Sequence, residues 1–389
     1  MKIAILGGGV AGVSSAIALK QKGFDVSIYE RHESASNIGA GMVVWPNAAY
    51  VLEQLGVLNK IKAVSGYPTR MRRLSNKNED LGAIAIEIIN QQMGYPSLSI
   101  LRNDFQNILI SRLASLGIAI HYAHAVTNLT TTDSNQTEVH FQNGLRITPD
   151  VLIGADGRMA SFTRRYVHND NTPIYQDFIN WIGTFESEEA FFQEIAILDY
   201  WGVGERFGIV PITPHKAYWA GGIACTNIKP KNPSAYKVEL TSIFAGWPSL
   251  VQTMIHHTPD ERINKIYVHD HHPIQTWHKN NLIVIGDAAH ASLPTSGQGA
   301  CQALEDAWHL AHCLQHNPHD IQRAFIEFTA IRFEKTADII MAARHFALSL
   351  FNRDEKSCMT RNEISRHTEF SQVAAAMSRS WGRHLPLMA

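Results

Sequence analysis

Hydrophobic positions along this chain fall into two rhythms. Lys2 to Leu6 is a short apolar run that breaks into glycines, which predicts a buried strand. Gly7 to Gly12 reads as a turn. Val13 to Lys22 reads as a helix from the spacing of Val13, Ile17 and Leu19, with Gly23 as its stop. Val26 to Tyr29 predicts a second strand and completes a strand–turn–helix–strand unit. Helical spacing returns over Pro46 to Leu58, interrupted near Gly56, and over Asp104 to Leu116, where Asn103 or Asp104 is available as a cap. Val151 to Ile153 and Leu282 to Ile285 are further apolar runs, each closed by a glycine. Ala300 to Cys313 and Ile321 to Phe351 read as helices, and 354–389 as a small helical appendix.

Between about 172 and 267 the period drops to two. Phe178-Ile179-Asn180-Trp181-Ile182 and Ala217-Tyr218-Trp219 mix aromatic and β-branched residues with polar ones, as in antiparallel strands with one face covered. The expected architecture is α/β. A discontinuous domain (1–72, 100–171 and 268–353) carries a parallel sheet, and an antiparallel substrate domain (73–99 and 172–267) is inserted into it. No stretch is apolar for long enough to predict a membrane span.

The net charge of −1 argues against nucleic acid as a partner. Cys225, Cys301, Cys313 and Cys358 form no CxxC pair, so disulfides and zinc are not expected and a reducing cytoplasm is the simplest location. His269 and His271 share a strand face without a placed third ligand, so no metal is expected.

Three motifs carry chemistry. Gly7-Gly8-Gly9-Val10-Ala11-Gly12 matches G-x-G-x-x-G after a strand and opens a helix, a Rossmann-like arrangement that seats a pyrophosphate on the helix N-terminus. Glu30, followed by Arg31, ends the second strand, where a carboxylate accepts from an adenosine ribose. Far downstream, Gly286-Asp287-Ala288-Ala289-His290 leads through Pro294 to Gly297-Gln298-Gly299-Ala300. A second acid at a strand tip suits the ribityl hydroxyls of FAD rather than a nicotinamide dinucleotide. The helix N-terminus after Gly299 suits the pyrimidine edge of the flavin. Gly154-Ala155-Asp156-Gly157, with Ser161 and Arg164, reads as a support for the cofactor loop. Arg102 is placed to reach phosphates or ribityl hydroxyls.

Together with Ile38-Gly39-Ala40-Gly41, Trp45-Pro46-Asn47-Ala48 and Ala303-Leu304-Glu305-Asp306-Ala307, these motifs resemble the single-component FAD-dependent aromatic hydroxylases of the p-hydroxybenzoate hydroxylase fold. Within that group the chain is similar to urate, salicylate and alkylquinolone hydroxylases. The resemblance implies tightly bound FAD, NADH or NADPH as a transient reductant, and O2. It also implies a C4a-hydroperoxide that hydroxylates a small aromatic or N-heteroaromatic substrate, and a monomer or homodimer. It places Arg206 and Tyr218 as catalytic and Trp45, Asn180, Trp181 and Pro294 as pocket residues. Thr295 and Ser296 follow Pro294, where the urate enzyme has an acid. Two alternatives stay open: an oxidase or reductase of the same fold, and a non-catalytic flavin-binding regulator.

Overall fold

The computed structural model describes residues 1–35 and 40–387. Ile38 and Gly39, expected near the cofactor, lie outside the described residues. The central strand Lys2–Leu6 pairs in parallel with Asp25–Tyr29 on one side and Val151–Gly154 on the other, and Leu282–Val284 lies beyond. Two short edge strands, Ile120–His121 and His278–Lys279, complete the six. Apolar runs nearly 300 residues apart thus lie side by side because each is apolar on both faces and needs cover on both. Their carboxyl ends share one rim, which is where such sheets bind ligands.

The second sheet has seven strands in the order Asn264–Asp270, Ile174–Glu186, Lys216–Ala224, Glu205–Thr213, Ile197–Trp201, Arg70–Ser75 and Asp80–Ala85. Its outer face packs Trp181, Phe207, Trp219 and Phe244 under the helices Tyr236–Ile243 and Ser249–His257. Its inner face turns toward the first domain.

Three boundaries differ from expectation. The first helix starts at Val10, inside the glycine motif. The helix expected from Asp104 starts at Arg102, with Leu101 at its cap and no capping side chain. The strands Gly41–Val44 and Leu98–Leu101 are paired, and the Ala40 carbonyl receives the Arg102 N–H at 2.9 Å, so the ladder supplies the acceptor. The helix expected over 46–58 ends at Gln54 and resumes as Leu58–Ala63, with Gly56 between them at φ +74°.

A buried charge cluster joins the parts. Glu305 and Asp306 on the helix Gly299–His316 face Arg332 and Lys335 on Ile321–Leu350, and all four side chains are fully buried. Arg332 pairs with Glu305 and, through Nε, with Asp306 at 2.8 Å. Lys335 Nζ reaches Glu305 Oε2 at 2.8 Å and donates to the carbonyls of Trp381 (2.6 Å) and Arg383 (3.0 Å). That fastens the helix Phe370–Gly382 to the core. Two acids against two bases leave no net charge, which is the condition for keeping them out of water.

Burial alone would raise both carboxyls. The cations and hydrogen bonds around them outweigh it, holding Glu305 below its ordinary range and Asp306 at about 2. A depressed folded-state value stabilises the fold above the unfolded carboxyl pKa of about 4 and ceases to do so as pH falls toward 2. Arg332→Met leaves Glu305 to Lys335 alone and Asp306 without its guanidinium, and is expected to cost about 3–5 kcal/mol. Arg323→Ala, which breaks an exposed pair with Glu327, is expected to leave stability nearly unchanged. Urea unfolding of both variants at neutral pH checks the difference.

Candidate active site

The glycine turn is built for backbone approach. Gly7 has φ +117°, and a Cβ there would lie 2.2 Å from the Ala155 carbonyl oxygen. A Cβ on Gly12 would lie 1.9 Å from the Gly7 oxygen. Gly9 differs: a Cβ there meets nothing within 4 Å, so its missing side chain leaves room for a group outside the fold. The helix that follows presents Val10, Ala11 and Gly12 in its first turn, with no side-chain cap on its N–H groups. Glu30 accepts from the Gly8 N–H at 2.7 Å and the His32 N–H at 3.0 Å. Burial pushes its pKa up, but these bonds prevail and keep the carboxyl ionised below its usual range. A cleft of about 400 Å³ runs past Gly7, Gly9, Glu30, Arg31, Arg102 and Asp156.

The Asp156 carboxylate is spent on its own loop. It accepts from Ser161 Oγ at 2.6 Å, Thr163 Oγ1 at 2.6 Å and the Thr163 N–H at 3.1 Å, while burial raises its pKa. The loop lends its backbone to the cleft, and the carboxylate holds the loop in shape. Arg164, buried, donates to the carbonyls of Ala288 (3.0 Å) and Ala289 (3.1 Å) and so ties this loop to the one bearing Asp287.

Asp287 opens a short helix just past the strand Leu282–Val284. Its carboxylate is 42% exposed and paired with Arg158 Nη1 at 3.1 Å. Arg102 shares that field: burial lowers its pKa and Asp287 opposes the shift. Two guanidiniums therefore flank one acid. The sequence did not signal Arg158, since an arginine in a loop carries no pattern. Behind Asp287, the Gly286 N–H donates to Asp306 Oδ2 at 2.8 Å, and His290 pairs with the same oxygen.

In the next loop Pro294 and Gly297 are exposed, and Gly299 and Ala300 open the helix. Gln298 turns inward instead. Its Oε1 accepts from Asn47 and Gln302, each at 2.9 Å, which fastens the loop to Glu305. Trp45 also lies behind the loop. Its indole N–H holds the Gly297 carbonyl at 3.1 Å, and its ring packs 4.8 Å from that of Trp381.

On the inner face of the second sheet, Asn180, Gly222 and Arg206 stand in register across three strands. Trp181 does not join them. Strand alternation sends it to the outer face, where Lys265 Nζ lies 4.6 Å over its ring. Arg206 Nε donates to Asp199 Oδ1 at 2.6 Å, an anchor that no sequence pattern signals. Four residues along the strand from Gly222, Tyr218 lies against Gly41, where a Cβ would come within 1.9 Å of its ring. Burial raises the Tyr218 hydroxyl pKa, with Arg206 opposing. Between Arg206 and Tyr218 the floor is Gly208 and Ala220, both part-exposed despite lying in central strands.

Gly9→Ala separates fold from ligand. Unfolding of the apoprotein is expected to shift by under about 1 kcal/mol, because the new methyl meets no protein atom. Dinucleotide affinity, measured by titration of that apoprotein, falls.

Residues 1–319 match the family model described as FAD binding domain. The chain is 30% identical to an FAD-dependent urate hydroxylase of Mycolicibacterium vanbaalenii, over 88% of this chain and 87% of that one. It is 27% identical to the aurachin C monooxygenase/isomerase of Stigmatella aurantiaca, over 98% and 97%. The solved structure of Klebsiella pneumoniae HpxO complexed with FAD and uric acid superposes with a TM-score of 0.89 at 25% identity, covering 98% of this chain and 96% of that one. With a glycine turn open to close approach, an ionised Glu30 and the exposed Asp287 on one rim, the chain belongs to the FAD binding domain family, that of the FAD-dependent monooxygenases and hydroxylases.

Proposed function

We propose that this chain hydroxylates a small aromatic or N-heteroaromatic compound, with NADH or NADPH as electron donor and O2 as oxygen source. The observation that carries the reading is the floor of Gly208 and Ala220, part-exposed in central strands, where a Cβ on Gly208 would meet nothing nearer than the Ala220 carbonyl oxygen at 3.9 Å. Two polar groups face it. The terminal amines of Arg206 have no protein partner among the described residues, since Asp199 takes only Nε. The Tyr218 hydroxyl likewise has none.

The residues of the rim fit FAD. Gly9 leaves room for its diphosphate, Glu30 stands at the ribose position, and Asp287 offers an exposed carboxylate to ribityl hydroxyls. Arg102 and Arg158 supply compensating positive charge. When bound, FAD stores the electrons of the nicotinamide and supplies the reaction with O2. The protein orients the ring and excludes water. Arg206, held flat by Asp199, stabilises negative charge on a ring oxygen or nitrogen, and Tyr218 donates to or accepts from the same atom. A phenol whose pKa is raised stays protonated at neutral pH, so Tyr218 enters the cycle as a donor.

The urate hydroxylase and uric acid complex among the relatives favour a heteroaromatic ring. Thr295 speaks against urate itself. It brings no charge, and its hydroxyl is committed to the Ala343 carbonyl at 2.9 Å.

Asp287→Ala is expected to keep its fold and purify with little FAD, read from the flavin absorbance. Arg206→Ala is expected to keep FAD and lose substrate-stimulated NAD(P)H oxidation by roughly 10- to 100-fold in kcat/KM, the worth of a charged hydrogen bond. Turnover under ¹⁸O2 decides between hydroxylase and oxidase. Label enters the product of a hydroxylase, and product without label would overturn the reading.

A further inference from the structure

The floor of the cleft continues beyond Arg206. In register across four strands stand Ala220, Gly208, Asp199 and Arg73, all on the inner face. Gly208 to Arg73 is two strand spacings, about 10 Å. That is the reach of a two-ring aromatic with one substituent.

Arg73 is in an unusual position. Its Nε is buried without a partner, and among the described residues its guanidinium makes no hydrogen bond or ion pair. The carboxylate in its row, Asp199, is already engaged by Arg206. Three rings crowd the guanidinium: Phe370 at 5.0 Å, Trp201 at 5.1 Å and Phe346 at 6.0 Å. Rings stabilise the face of a guanidinium but accept none of its in-plane N–H bonds. Arg361, the other cation on Trp201, differs: its N–H groups are taken by the carbonyls of Ser349, Leu350 and Gly202. The row thus holds two guanidiniums against one carboxylate, and the unpaired one presents a donor edge. A planar oxyanion matches that edge in shape and charge.

We propose that Arg73 is a specificity-determining residue that pairs with an anionic substituent, a carboxylate by geometry, on the ring held over Gly208. The substrate is then an aromatic or heteroaromatic acid rather than a neutral ring. This rests on the hydroxylase reading of the cleft.

The test uses the FAD-loaded enzyme and matched probes: hydroxyaryl and hydroxyquinoline carboxylates beside their primary amides, which keep the shape and drop the charge. Binding is read from the perturbation of the flavin spectrum, and coupling from ¹⁸O incorporation. The native protein is expected to bind acids roughly tenfold or more tighter than amides. Arg73→Met is expected to bind both alike, and Arg73→Lys to keep part of the preference. Equal binding of acid and amide by the native enzyme overturns the proposal, as does a preference that survives Arg73→Met. If amides bind and become hydroxylated with no preference for acids, only this inference falls. If no ring compound, charged or neutral, perturbs the flavin, the hydroxylase reading falls and this inference with it.

Discussion

Two acids and two bases, sealed from water between two helices, hold the cofactor rim in place. Glu305 and Asp306 are neighbours in sequence, yet they serve different loops. Asp306 takes the Gly286 N–H and His290, which sets the start of the Asp287 segment. Glu305 takes Asn47 and Gln302, which together hold Gln298. Neither acid reaches the cleft, since both are fully buried. Their charge is tolerable only because Arg332 touches both and Lys335 touches Glu305. Directional bonds from a rigid ionic core give the loops a geometry that apolar packing would leave loose.

The second constraint is the two-residue period of the large sheet. Over the floor, the two central strands place bulky rings on the outer face and small residues on the inner one. Trp219 and Phe207 face out, while Ala220 and Gly208 face in. The outer rings carry the packing that fixes the strands, which frees the inner positions from filling space. Gly41 extends the principle across the domain boundary, because any larger residue there would collide with Tyr218.

Much of this was legible in the sequence. The strands of the first sheet announce themselves as apolar runs, and the glycines at 7, 9 and 12 each have a separate physical reason to be glycine. The rim residues could be named because turns and strand tips leave local signatures. Asp199, Arg73 and Arg158 were not found. Arg158 acts through an acid far along the chain, Asp199 through a residue on the neighbouring strand, and Arg73 has no hydrogen-bond or ion-pair partner among the described residues; a lone charged residue in a strand or loop reads as a solvated surface. Trp181 was misplaced for the opposite reason. It adjoins Asn180, but adjacent residues in a strand face opposite ways. Asp156 and Gln298 were found as members of motifs, and their side chains work inward to shape the loops that carry them.

Lys335 completes its bonding with carbonyls from Trp381 and Arg383. Translation proceeds at about 5–20 residues per second, so these acceptors leave the ribosome roughly 20–70 s after Asn47. During that interval the Rossmann turn can already be folded, while one cation of the core lacks part of its coordination. The ionic core behind the rim is therefore completed late in synthesis. A chain stalled before Trp381 would lack both that coordination and the aromatic backing of Trp45, whose indole holds the Gly297 carbonyl.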